Sequence, residues 1–303
     1  MADAREVGLL SAIEPREPSQ DRWNAYVIAD YGVGDLAFTE VAARLRAAHS
    51  GVSAEKVSVP PFSTIATGFA LEQIGIHNAY PGMFLFSNTA PRGSEDAIKW
   101  QGDDRQRLLF AMLKVKSNAG EIRVPVLAVS AGYNWSFIKN NILRYEDGSA
   151  ALYDLDIPNS GTQFRSRDIY PTALKRILDK DITVLGKQLN PNIIPDPPIN
   201  RIAYKDGYGN IKTTTRLSQF PESLKQSPFL RVRIGSNTQV VYNSLSGKEA
   251  GLLDFSLNAG SSGGEEDPYL EIVKRGGSAD YQFGAPVVYD DRDPIEFTSV
   301  DIS

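Results

Sequence analysis

The order of apolar and polar positions divides the chain near residue 190. In the first half, Ala25 to Asp35 (AYVIADYGVGD) places the β-formers Tyr26, Val27 and Ile28 ahead of Asp30 and a turn carrying Gly32 and Gly34. A buried parallel strand would end at that aspartate. Helical spacing follows over Phe38 to Ala48, with Val41, Leu45 and Ala48 on one face. Lys56 to Val59 predicts a second strand, stopped by Pro60 and Pro61. Phe62 to Ile76, with Ile65, Phe69, Leu71 and Ile74, predicts a second helix. Two βα units in a row imply a parallel sheet. Met83 to Phe86 reads as a central strand that runs into the polar loop Ser87-Asn88-Thr89-Ala90-Pro91-Arg92. Within Asp96 to Lys116 the pattern predicts a helical insertion around Arg105 to Leu113. A buried strand at Val124 to Val129 and a helix from about Ser136 to Leu143 come next. Leu152 to Ile157 reads as a strand, Thr162 to Ile169 as a polar loop or helix entry, and Pro171 to Leu178 as a short helix opened by its proline.

Asn190 to Pro198 (NPNIIPDPP) admits neither helix interior nor central strand, and marks a linker. Beyond it the segments shorten and alternate: Ile199 to Tyr204, Asn210 to Thr215, Leu230 to Ile234, Gln239 to Tyr242, Leu252 to Leu257 and Tyr269 to Val273. Turn residues at Asp206-Gly207, Tyr208-Gly209 and Gly276-Gly277 separate them, which is the pattern of a small all-β unit. The expected organisation is an N-terminal arm over 1–22, an α/β domain with a mostly parallel sheet over 23–190, a proline-rich linker over 191–198 and a small antiparallel β-barrel over 199–303. The stretch from Pro286 to Ser303 is acidic and reads as a tail that covers a neighbour or is disordered.

Composition then removes several kinds of chemistry. The 303 residues contain no cysteine and only two histidines, His49 and His77, which excludes thiolate catalysis and argues against a transition-metal centre. No apolar run is long enough to cross a bilayer, and the first residues lack a basic start with an apolar core, so a cytoplasmic protein with no membrane partner is expected. The formal charge of -5 and the absence of a Lys/Arg cluster argue against nucleic acid as a partner. No phosphate-binding glycine loop or serine-hydrolase elbow occurs, and no metal or bound cofactor is expected.

The sharpest chemical signal is Asp30, because ligands of open α/β sheets bind outside the carboxyl ends of the strands. Its alternative role is that of a turn-former. Four further landmarks follow it: Tyr80-Pro81-Gly82, Phe164-Arg165-Ser166-Arg167-Asp168, Gly209-Asn210-Ile211 with Thr213 nearby, and Leu253 to Ala259. In this order the landmarks resemble the S-adenosylmethionine hydroxide adenosyltransferase family, which also contains fluorinating and chlorinating enzymes. The resemblance runs from about Ala25 to Ala259. It implies an N-terminal α/β domain, a C-terminal β-barrel, and a homotrimer holding a nucleoside between one subunit's first domain and a neighbour's second. The activity implied is displacement of methionine from the ribose 5' carbon of S-adenosylmethionine, which is the substrate, so no separate cofactor is needed.

By that resemblance Asp30 accepts hydrogen bonds from the ribose hydroxyls. Asp35 is the second acid of the same turn, or else a helix-capping acid. Phe62 packs an aromatic ring against substrate, or else fills the core. Ser166 stands where the halogenating branch holds its nucleophile, and Thr89 where that branch has a hydroxyl in the preceding loop. Asn210 contacts the adenine, or forms a plain hairpin turn. Asn258 and Ala259 supply the backbone that reads the base, unless Asn258 only ends a strand. Departures accompany these matches. Ala90 replaces an aspartate and Arg165 a histidine of the water-activating set, while Arg92 lies near the place of its arginine. Lys205, beside Asp206, stands where an acid would pair with the methionine ammonium, and a lysine would repel it. Two classes of function are therefore expected: an adenosyltransferase or hydrolase using water or a small anion, and a non-catalytic trimeric relative that binds a nucleoside or serves assembly.

Overall fold

The computed structural model describes residues 4–15, 22–90, 100, 106–117, 120–158, 162–247, 255–288 and 294–300. The chain divides into two compact units, Met1–Asp196 and Pro197–Ser303, and the division falls within the proline-rich stretch.

The first unit opens with α1 (Ala4–Ser11), β1 (Trp23–Ala29), α2 (Ala37–Ala48), β2 (Val52–Ser58), α3 (Thr64–Gly75) and β3 (Met83–Ser87). It continues with β4 (Leu108–Ser117), β5 (Gly120–Val129), β6 (Leu152–Leu155), α4 (Arg165–Asp168), α5 (Tyr170–Leu178) and β7 (Leu185–Gln188). Its seven-stranded sheet has the order β2-β1-β3-β5-β4-β6-β7. The pairings β1/β2, β1/β3 and β3/β5 are parallel, whereas β4/β5, β4/β6 and β6/β7 are antiparallel. The sheet is thus mixed, and the expected mostly parallel sheet is corrected to a parallel half joined to an antiparallel half.

Topology creates a crevice. From β1 the chain moves through α2 to β2 on one side, then returns through α3 to β3 on the other side of β1. The crevice between the carboxyl ends of β1 and β3 is therefore a topological switch point, where side chains of the following turns face an open space. Strand β1 is anchored on one face by Trp23, Ala25, Val27 and Ala29, which share a core with Val41 and Leu45 of α2 and with Ala173, Leu174 and Ile177 of α5. Full burial of each valine, leucine or isoleucine side chain contributes roughly 1.5–3 kcal/mol. Helix α3 is capped by Ser63, whose side chain accepts from the Ala66 N–H, and it buries almost its whole surface.

Several expectations are corrected. The run Leu108 to Leu113, read as part of a helical insertion, is strand β4, buried on both faces in the middle of the sheet; much of the remaining insertion lies outside the described residues. Ser136 to Leu143 is not a helix but a series of turns with one 3-10 turn at Lys139–Asn141. The described part of the arm contains α1, which with the residues after it buries Leu9, Leu10 and Ile13 in the main core.

The second unit contains β8 (Ile202–Lys205), β9 (Ile211–Arg216), α6 (Glu222–Lys225), β10 (Phe229–Ile234), β11 (Asn237–Asn243), β12 (Phe255–Ala259), β13 (Tyr269–Lys274), α7 (Ala279–Gln282) and β14 (Ile295–Ser299). They form a second seven-stranded sheet, β14-β10-β11-β12-β13-β9-β8, curled into a half-barrel. Its edges approach at one point, where the Ile295 N–H donates to the Asn200 carbonyl at 2.8 Å. The expected small antiparallel barrel is found as a half-barrel in which β11 and β12 run parallel. The unit is not purely β, since α6 and α7 interrupt it, and the supposed tail supplies β14, whose Phe297 packs edge-on against Phe220 at 5.2 Å.

Candidate functional site

Asp30 is the first residue after β1, and Asn88, Thr89 and Ala90 follow β3, so the two neighbouring parallel strands deliver both segments to the switch point. Helix α4 brings Arg165 and Ser166 to the same place. Together these segments line a cavity of about 590 Å³, whose wall includes Asp30, Tyr31, Asp35, Phe62, Asn88, Ala90, Gln106, Phe164, Arg165 and Ser166.

Asp30 is partly buried, and its Oδ2 accepts the backbone N–H of Phe62 at 3.0 Å. No second hydrogen bond to its carboxylate occurs among the described residues, so the other oxygen has acceptor capacity to offer. Phe62 holds a left-handed backbone at φ 63° and is 39% exposed, lying before α3 and not in it. A core role for this ring is excluded by that exposure, and the Asp30 bond is one restraint on its unfavourable conformation. Asp35 is exposed and accepts the Ala37 N–H through Oδ1 at 2.8 Å, so it both starts α2 and lines the cavity.

The cavity floor is polar. Tyr31 Oη and Ser166 Oγ lie 2.8 Å apart, and Asn88 Nδ2 donates to both, at 3.3 and 3.1 Å. Burial raises the Tyr31 pKa above its ordinary value, with the Ser166 and Asn88 hydrogen bonds opposing, so the phenol stays protonated through the physiological range. Arg165 donates to the Gln106 carbonyl at 3.3 Å and lies 5.9 Å from the centre of the Tyr170 ring. Its neighbour Arg167 pairs with Asp168, which also accepts from Thr162 and titrates near 2, held down first by the Arg167 hydrogen bond.

The structure thus brings Asp30, Asp35, Phe62, Arg165 and Ser166 around one space. Thr89 is not among the lining residues: it is fully buried, its hydroxyl has no hydrogen-bond partner among the described residues, and its carbonyl accepts from Asn134. Ala90 lines the cavity with a methyl group, while Pro91 and Arg92 lie outside the described residues. Sequence reasoning missed Tyr31 and Asn88, although both adjoin residues that it singled out.

In the second unit the expected ligand groups are engaged locally. Asp206 accepts from the Tyr208 and Asn210 N–H groups and from Asn210 Nδ2 at 2.9 Å, the arrangement of a self-contained turn. Lys205 donates to Asp280 at 2.7 Å and to the Pro286 carbonyl at 2.8 Å. Asn258 donates to Ser256 Oγ at 2.9 Å within β12, and Ala259 is exposed at the end of that strand.

Among the described residues no group of three or more His, Asp or Glu side chains could hold a metal, and no helix is long and apolar enough to cross a membrane. Fold and site together define a mixed α/β protein with an acidic, hydroxyl-floored cavity at a sheet switch point. No family model and no curated protein matches the chain. Among solved structures, it is similar to an uncharacterized conserved protein from Thermotoga maritima, at 16% identity and TM-score 0.63, covering 90% of this chain and 100% of that one. A conserved hypothetical protein from Thermus thermophilus is similar at 17% identity and TM-score 0.57, covering 91% of this chain and 100% of that one. At these identities the likeness concerns the fold.

Proposed function

We propose that this protein binds S-adenosylmethionine, or a related 5'-substituted adenosine, with its ribose at Asp30, and displaces the 5' substituent with water or a small anion. The observation that carries the reading is the convergence of Asp30, Asp35, Phe62, Arg165 and Ser166, chosen from segments far apart in sequence, on one cavity of about 590 Å³. A space of that size suits a nucleoside with a short extension. Its charged lining residues are two aspartates and one arginine, an acidic excess that favours a cationic sulfonium.

The reaction asks little acid-base chemistry of the protein. The nucleophile's lone pair forms the new bond to C5' as the C5'–S bond breaks, the bonding pair passes to sulfur, and methionine leaves as a neutral thioether. When water attacks, its proton passes to solvent. Catalysis then consists of holding the diol, aligning the sulfonium with the nucleophile and excluding bulk water. The open Asp30 oxygen, the Phe62 ring and the hydroxyl floor are the groups assigned to those tasks. In this reading the working form is a homotrimer, acting in the cytoplasm without a cofactor.

One observation favours a second reading, a nucleoside-binding relative that transfers nothing. Lys205 is neutralised by Asp280 and Asp206 is used in its own turn, so neither is an acid poised for a methionine ammonium. Incubation of the pure protein with S-adenosylmethionine, with and without chloride, separates the two. Release of methionine together with adenosine or 5'-chloro-5'-deoxyadenosine supports transfer. Calorimetric binding of adenosine with no methionine released supports the second reading.

A further inference from the structure

We propose that Asn88 is a positioning residue that leaves the buried Tyr31–Ser166 hydroxyl pair with one hydrogen to give, directed at a hydrogen-bond acceptor atom of the ligand. The inference rests on reading this cavity as the ligand site and does not require the transfer reaction.

Two hydroxyls carry two hydrogens. One is consumed in the 2.8 Å bond between Tyr31 Oη and Ser166 Oγ, whichever group donates it. Asn88 Nδ2 occupies acceptor positions on both oxygens, at 3.3 and 3.1 Å, and takes up neither hydrogen because it is itself the donor. One hydroxyl hydrogen is left over. Neither hydroxyl has another partner among the described residues, and Ser166 and Tyr31 are only 1% and 7% exposed. A buried donor left unmet is costly, and the cavity that both residues line is where an acceptor can be supplied. A ribose oxygen and a small monovalent anion share the required chemistry.

This arrangement has an unusual consequence for mutation. Tyr31→Phe leaves the Ser166 hydrogen free, and Ser166→Ala leaves the Tyr31 hydrogen free, so each single variant keeps one donor. The double variant keeps none. Asn88→Asp replaces the two amide donors with a carboxylate that accepts both hydroxyl hydrogens, and again none remains. A merely structural role would instead give roughly additive losses.

The test measures adenosine affinity by calorimetry and bromide occupancy in soaked crystals by anomalous scattering, for the wild type and all four variants. Expected are single hydroxyl variants within about twofold of wild type, with the double variant and Asn88→Asp weaker by about tenfold or more, beyond the roughly fourfold that additive single losses would give. The anomalous peak should lie within hydrogen-bonding distance of Tyr31 Oη or Ser166 Oγ. The double variant changes no charge, and it decides the matter should Asn88→Asp fail to fold. Bromide seated there with no adenosine bound would end the nucleoside reading and leave this inference standing. The inference is overturned if either single loss equals that of the double variant, if a folded Asn88→Asp binds like wild type, or if neither probe occupies the site.

Discussion

Asp30 and Phe62 are the residues at which structure and chemistry are most tightly joined. The carboxylate of this cavity-lining aspartate accepts a backbone N–H through one oxygen, and the other has acceptor capacity left. Asp30→Asn can retain an acceptor for the Phe62 N–H through its amide oxygen, so it should fold normally. A charge-assisted bond to a ribose hydroxyl would be lost, and adenosine should bind about tenfold or more weakly in calorimetry. Phe62, at φ 63°, makes a separate prediction about stability. Phe62→Gly relieves the backbone at an entropic cost to the folded chain, and urea unfolding should place it within about 1 kcal/mol of wild type. Phe62→Val puts a β-branched residue in the same conformation and should destabilise by about 1–2 kcal/mol.

At the scale of elements, the site depends on how α3 and α4 are seated. A methyl group at Gly68 of α3 would meet the Tyr133 carbonyl and the Phe137 ring, and a backbone carbonyl has little room to yield. Gly68→Ala should therefore lower unfolding stability by about 1–3 kcal/mol, measured in urea. Helix α4 carries Ser166, and its Asp168 is tethered to Arg167 within the helix and to Thr162 just before it. With its pKa lowered to about 2, Asp168 should keep these tethers above its ordinary titration range and lose them as pH falls through about 2, with the carboxyl carbon shift in NMR reporting that midpoint.

These elements differ in how far their sequence reveals them. Helix α2 shows its single apolar face in Val41 and Leu45, and β1 shows its β-formers followed by an acid. Strand β4 hides itself: Leu108 to Leu113 is buried on both faces, and a continuous apolar run carries no period to distinguish strand from helix. The turns at 132–138 are buried as deeply as a helix, with Trp135 and Ile138 inside, so apolar content misleads there too. The acid and the serine of the cavity were legible, because their positions follow a recognisable order of turns. Tyr31 was not, since a phenol beside a strand end reads as a core aromatic until Ser166, 135 positions later, is seen to touch its oxygen.

For the whole molecule, two seven-stranded sheets in two units give the fold, and the nucleoside reading assigns ribose recognition to the first. Trimer formation is checked by light scattering, where the account expects a mass three times the 33.2 kDa of one chain. More specific is the proposal that an acidic cavity grips a sugar through its hydroxyls. It is tested most directly by calorimetric titration of the intact protein with adenosine and with 2',3'-dideoxyadenosine. A site built to hydrogen-bond hydroxyls discriminates strongly against a ligand lacking them. Saturable adenosine binding is expected, weakened at least about tenfold when both hydroxyls are removed. No binding of adenosine, or equal affinity for the two nucleosides, would contradict it.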